Sequence, residues 1–206
     1  MDGFDDALDK MALAVESAKV AKSMVVKIDG IGEEINLNLL IWRDDELVAV
    51  AQLLSEFMED KEDRFLRVVN AVCIFRQGWG ATAVTMIAEA YCSSDPSASK
   101  GKEMAELFAS PENAYIRECL SFTHIDGEDA FFLAVPFVCV PPRQVVYGEA
   151  LRHRGSGVIR DTRYPLGIMR ALALAVERYD EGVDEEYFRD LLARGVMDLG
   201  FEVNYK

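Results

Sequence analysis

A chain of 206 residues with 50% hydrophobic and 28% charged side chains has an ordinary globular profile and can bury a core without disulfide staples. Its net charge of −14 excludes generic binding to nucleic-acid backbones, which needs a basic footprint, and disfavours docking on anionic membranes. Cys73, Cys92, Cys119 and Cys139 form no CxxC pair and sit in apolar runs, so they read as reduced thiols in a cytoplasm.

Residues 1–22 begin acidic and turn amphipathic, unlike the basic start and continuous apolar stretch of a signal peptide. No apolar run has the length of a membrane span. Phe4, Leu8, Met11, Val15 and Ala18 recur at helical spacing, with acids in the first turn and lysines in the last, as the helix dipole prefers. Residues 24–28 and 35–42 are strand-like on either side of a glycine-bearing turn, which predicts a β-hairpin. Asp44 or Asp45 is positioned to cap a helix reaching about Met58. A second helix is expected over 63–77, with Phe65, Val68, Val69, Val72 and Phe75 on one face and the glycines at 78 and 80 as its stop.

The run 82–92 is apolar and β-branched, a buried strand with one carboxylate, Glu89. A polar loop follows at 93–103, then a short helical piece at 103–108. Three strands are expected at 115–124, 130–140 and 144–151, with Pro136 calling for an edge or bulge position. Residues 152–167 read as a loop. Helices are expected over 165–180 and 184–194, with Gly195 as the final stop. The order α-ββ-αα-β-βββ-αα has strands joined by short turns. It therefore implies a single α+β domain over 1–206: an antiparallel sheet of five to six strands with helices packed on it. The helix at 1–22 and those at 165–206 would lie at its periphery.

Charge is unevenly laid out. Residues 1–63 hold sixteen acids against six bases, whereas 143–170 hold six arginines against Glu149 and Asp161. Arg152, Arg154, Arg160 and Arg163 flank Gly155 and Gly157, a combination suited to an anion or an acidic partner, because guanidinium groups fork onto carboxylate or phosphate. The same arginines also suit pairing with the chain's own carboxylates. No Lys-Ser/Thr follows the glycines, so this is not a Walker loop. His124 and Asp126, near Glu128 and Asp129, are acid–base candidates, although Asp and Gly belong in a β-turn for backbone reasons alone. Cys92, at a strand end, is the cysteine best positioned for reactivity; the alternative is a buried inert thiol. No spaced metal motif occurs, and neither metal nor cofactor is expected. Period two puts Val84, Met86, Ala88, Ala90 and Cys92 on one face of their strand, and Thr85, Ile87, Glu89 and Tyr91 on the other. If that second face is covered, Glu89 is a buried carboxylate that needs a partner, for which an arginine is the obvious candidate.

The stretch around Glu89, Ala90 and Tyr91, followed by Arg117, Glu118 and Leu120 and then a hairpin, resembles a pattern in uncharacterised small proteins of bacteria and their phages. It spans about residues 80–140. The resemblance implies a phage or mobile-element source and no particular activity. The resulting expectation is a protein-interaction module that binds a protein partner or its own copies. The alternatives are a small enzyme or anion-binding domain joining Glu89, His124 and the arginine loop, and an acidic DNA mimic.

Overall fold

The computed structural model describes residues 3–26, 33–93, 116–127, 129–154, 163–175 and 185–206. Helix α1 (Gly3–Val25) precedes strands β1 (Asn38–Arg43) and β2 (Glu46–Leu53), a 3-10 turn at Ser55–Phe57, and helix α2 (Lys61–Trp79). Strands β3 (Ala83–Ser93), β4 (Ile116–Asp126), β5 (Asp129–Val140), β6 (Gln144–Tyr147) and β7 (Leu151–Arg154) follow. Helices α3 (Arg163–Leu172) and α4 (Glu185–Asp198) and strand β8 (Phe201–Tyr205) complete the described elements. The class is α+β. The strands hydrogen-bond in the order β6-β5-β4-β3-β1-β2-β8, with β7 also against β5. β1 runs antiparallel to β2 and β3, β2 to β8, and β5 to β6.

Two compact units emerge from this chain. The first comprises Met1–Ile35, Ala88–Phe122 and Phe132–His153; the second comprises Asn36–Ile87, Thr123–Phe131 and Arg154–Lys206. In the first, α1 buries Met11, Val15 and Ala18 of the expected stripe together with Ala7 and Ala14, Leu8 is only half-buried, and Lys22 continues the stripe. In the second, α2 is capped by Asp60, whose carboxylate accepts from Glu62 N at 2.8 Å and Asp63 N at 3.0 Å. These two backbone donors hold the Asp60 carboxyl below its usual pKa. The helix ends at Gly80 in the left-handed region, as its sequence requires. Its partner helices come close through small residues: a Cβ on Gly78 would lie 2.6 Å from Leu192 of α4, and one on Gly167 of α3 would lie 2.8 Å from Val69.

Several elements differ from expectation, each for a physical reason. The segment after Asp44 is strand β2, not a helix. Val48, Ala49, Ala51 and Leu53 are all buried, and β2 is hydrogen-bonded on both edges, to β1 and β8. Burial alternates along 49–53, but the half-buried Leu47 and Val50 are apolar too, so Leu47–Ala51 reads as a continuous apolar run whose Ala and Leu mimic a helix. Asp44 forms the hairpin turn instead of a cap, with φ +53 and its N–H donating to Thr82 Oγ1 at 2.7 Å. Residues 24–25 end α1 rather than start a hairpin, and the first hairpin is β1–β2. Gly195 lies inside α4, where an added Cβ would lie 3.4 Å from Ile74 Cδ1, and the turn comes at Gly200, φ +86. β8 then follows, so the described sheet has eight strands where five to six were expected. Its Tyr205 stacks on Trp79 with ring centroids 5.1 Å apart. The expected strand at 144–151 ends at Tyr147, and the expected loop at 152–167 instead opens with β7 and closes with the start of α3 at Arg163. The helix expected at 103–108 and the later part of the one at 165–180 lie outside the described residues.

Pro136 sits within β5, which has β4 on one side and β6 on the other, so it is not on an edge strand. Its carbonyl accepts the Gly148 N–H at 2.8 Å. In an antiparallel ladder a residue's N and O point the same way, so the proline nitrogen, which carries no hydrogen, also faces Gly148. That is where the neighbouring strand leaves the ladder, between Tyr147 and Leu151. The break serves the purpose an edge position would have served.

Candidate functional site

The titratable groups singled out by sequence fall into two clusters, one in each unit. In the first unit Glu89 is 12% exposed and meets the ammonium of Lys22, itself only 2% exposed. Lys22 Nζ donates to both carboxylate oxygens of Glu89 at 2.8 Å and to the Glu33 carbonyl at 2.8 Å, which accounts for its three donors. Glu89 Oε1 also accepts from the Ile35 backbone N–H at 2.7 Å. The Phe137 ring lies 4.8 Å from the ammonium, a cation–π contact. The covered-face reading of β3 therefore holds, but the partner is a lysine from α1 and not an arginine. A signal for it exists in the sequence, since Lys22 continues the spacing of Met11, Val15 and Ala18 and so occupies the apolar stripe. Its place in the last helical turn offers a competing explanation, the helix dipole, and hides that signal.

Around this pair the first unit gathers thiols and phenols. Cys92 is half-buried and Cys119 fully buried, and their side chains hydrogen-bond. The S–H donated by Cys119 holds the Cys92 thiol below its usual pKa against the opposing effect of burial, with Arg117 adding to the fall. The same hydrogen bond, followed by burial, drives the Cys119 thiol far up. Burial raises Cys139. Burial also raises Tyr91, and the carboxylates of Glu118, Glu34 and Glu89 push it further. Tyr147 is raised chiefly by burial, and its hydroxyl donates to the Lys19 carbonyl at 2.9 Å. All four cysteines are free thiols.

In the second unit His124 is buried on β4. Its Nδ1 lies 2.8 Å from Thr85 Oγ1, and the Trp42 indole N–H donates to the same oxygen at 3.0 Å. The histidine is thus held in a buried relay with a hydroxyl and an indole, residues outside the acidic grouping expected from sequence. Asp126 is exposed beside Gly127, φ +56, at the β4–β5 turn, as the turn chemistry predicts. Arg154 donates to Asp129 at 3.1 Å, with its guanidinium 5.4 Å from the Phe131 ring. Arg152 is exposed on β7. Arg160 and the side chain of Arg163 lie outside the described residues, as do Gly155 and Gly157.

Chemically, Lys22 and Glu89 neutralise one another and hold the backbone at 33–35, whereas Thr85 and His124 satisfy one another inside the other unit. Among the described residues no three His, Cys, Asp or Glu side chains gather as metal ligands. No helix among them is long and apolar enough to cross a membrane.

The first unit also presents a surface. Directly opposed residues of antiparallel strands share a face, and the β5–β6 register pairs Phe137 with Tyr147, Val138 with Val146 and Cys139 with Val145. The Phe137–Tyr147 face lies against α1, through Lys22 and Lys19. The opposite face presents Val138 and Val146 side by side, 45% and 57% exposed. Comparison with protein-family models, curated proteins and solved structures finds no match, so the case for a function stands on these groups and surfaces.

Proposed function

We propose that this chain is a non-enzymatic protein-interaction module. It acts as a component of a phage particle or as a modulator of a host protein, in the host cytoplasm or in the virion. The observation that carries the reading is the exposed Val138–Val146 pair on the outer face of the β5–β6 ribbon. Two large apolar side chains lying side by side in water are a cost that a contact surface explains. The groups with catalytic potential support it from the other side, because Glu89 is bound to Lys22 and His124 to Thr85. The charge of −14 favours a partner with compensating bases and discourages non-specific association.

The test is a Val138→Glu/Val146→Glu variant. Both positions are exposed, and two directly opposed glutamates repel, so the fold should lose about 1 kcal/mol and remain intact. The variant should lose the complexes that the wild type forms, measured by quantitative co-purification from host lysate and by light scattering. A folded variant that keeps every wild-type complex overturns the reading.

A further inference from the structure

We infer that β6 pairs edge to edge with β6 of a second copy, antiparallel about Val146. This deepens the interaction reading above and rests on it. The first observation is the edge itself. β6 ends the strand order, and none of its residues, Gln144, Val145, Val146 or Tyr147, is charged or proline. Natural sheets guard their edges with such residues.

The second observation is the direction of the free main-chain groups. Gly148 N–H bonds to Pro136 O, so alternation along the ladder turns the main-chain groups of Val146 and Gln144 toward β5. Those of Val145 and Tyr147 face outward. Only registers that oppose outward residues to outward residues make hydrogen bonds. A dyad on Val146 does so: Val145 faces the second copy's Tyr147 on both sides of the axis, giving about four main-chain bonds.

The third observation is charge, and it selects among the permitted registers. Arg143 and Glu149 are both exposed and stand three residues to either side of Val146. A dyad on Val146 brings each Arg143, in the turn before β6 with φ +61, beside the other copy's Glu149, just past the ends of the paired strands. A dyad on Val145 would set Arg143 against Tyr147 instead, and one on Tyr147 would set Glu149 against Val145. The same dyad lines up Val138 and Val146 of both copies as one apolar strip across the axis. The contact is isologous, so it closes as a dimer rather than growing into a fibre.

The experiment is sedimentation velocity over a concentration series with wild type, Arg143→Glu, Glu149→Arg, the Arg143→Glu/Glu149→Arg exchange and Val145→Pro. The charged positions are exposed, so their variants keep the fold. Val145→Pro removes an outward N–H that β5 does not use. Wild type should be a dimer. Each single charge variant should dissociate at about tenfold higher concentration, because two attractions become two repulsions. The exchange should restore dimerisation to within about threefold, and the proline should abolish it. A monomeric wild type overturns the inference. So does a dimer indifferent to Val145→Pro, or an exchange variant that fails to recover. If the wild type is monomeric while Val138→Glu/Val146→Glu still loses a host complex, self-pairing fails and the interaction reading stands with a different partner.

Discussion

Replacing Lys22 with methionine tests how the first unit is held together. The substitution keeps the length and apolar stem of the side chain and removes three hydrogen bonds, two to Glu89 and one to the Glu33 carbonyl. Glu89 would keep its bond from Ile35 N–H but lose its counter-charge at 12% exposure. Breaking a buried pair by removing one partner costs about 3–5 kcal/mol, most of it the unpaired charge left behind. At about 2–4 °C per kcal/mol for a chain of this size, the melting temperature should fall by about 10 °C. The double variant Lys22→Met/Glu89→Met leaves no charge buried. It should lose only about 1–3 kcal/mol, because the Glu33 carbonyl and the Ile35 N–H forfeit their partners. Urea unfolding followed by far-UV circular dichroism gives the three free energies, and amide hydrogen exchange locates the loss, which should speed exchange in α1. The reasoning is refuted if Lys22→Met costs less than about 1 kcal/mol, the range of an exposed pair, or if the double variant costs the sum of the singles.

Thr85→Val should cost about 2 kcal/mol in a urea titration, because one hydroxyl serves both Trp42 and His124, and Thr85→Ser, which keeps that oxygen, should lose less. Gly200→Ala should destabilise by about 2 kcal/mol or more, since it combines φ +86 with a Cβ directed into the Phe57 ring. Gly80→Ala, at φ +66 with the nearest atom 3.9 Å away, should lose only about 1 kcal/mol; equal melting temperatures for the two variants would contradict this. Cys92 should be alkylated by iodoacetamide faster than Cys73 or Cys139, whose thiols burial pushes up, because its lowered pKa gives more thiolate at neutral pH. The rate should rise with pH and level off at a lower pH for Cys92. Cys119→Ala, which removes the S–H donor, should move that plateau upward, and an unchanged pH profile counts against the thiol pair.

What could be read from the chain depended on how local each signal was. Spacing and Gly80 place α2 and bury Val68, Val72 and Phe75 as expected, whereas the helix starts earlier than the expected Asp63, at the Asp60 cap, and Ala71 rather than Phe65 or Val69 completes the buried face. Period two along β3 was enough to mark Glu89 as a carboxylate on a face that would need a partner if covered. The partner stands 67 positions away in the sequence, and nothing local to Glu89 points to α1. The same holds for His124. Its neighbours in sequence are Asp126, Glu128 and Asp129, and these suggested an acidic cluster. Its bonding neighbour is Thr85, delivered by a different strand. β2 does not read as a strand because its apolar run Leu47–Ala51 masks the alternating burial at 49–53. Gly195 does not end its helix because the left-handed turn falls at Gly200, φ +86, and the letter alone does not tell the two glycines apart.

The buried pair packs against one face of the β5–β6 ribbon, through Phe137, and the exposed valines lie on the other, an arrangement that gives the ion pair a role beyond stability. A buried salt bridge contributes little net energy over a well-packed apolar pair, and its best-attested use is to fix one arrangement over others. Here Lys22 binds Glu89 on β3 and the carbonyl of Glu33 at once, while Lys19 receives the Tyr147 hydroxyl one turn earlier on the same helix. An α1 slipped by one residue would rotate Lys22 by about 100° off the apolar stripe and break these contacts together. The pair therefore sets which face of the β5–β6 ribbon the helix covers. Because α1 covers the Phe137–Tyr147 face, Val138 and Val146 are left to water. The two faces should then be separable by mutation. Lys22→Met should loosen α1 and lower stability. Val138→Glu/Val146→Glu should cost only about 1 kcal/mol, from the two opposed carboxylates, and change chiefly what the protein binds.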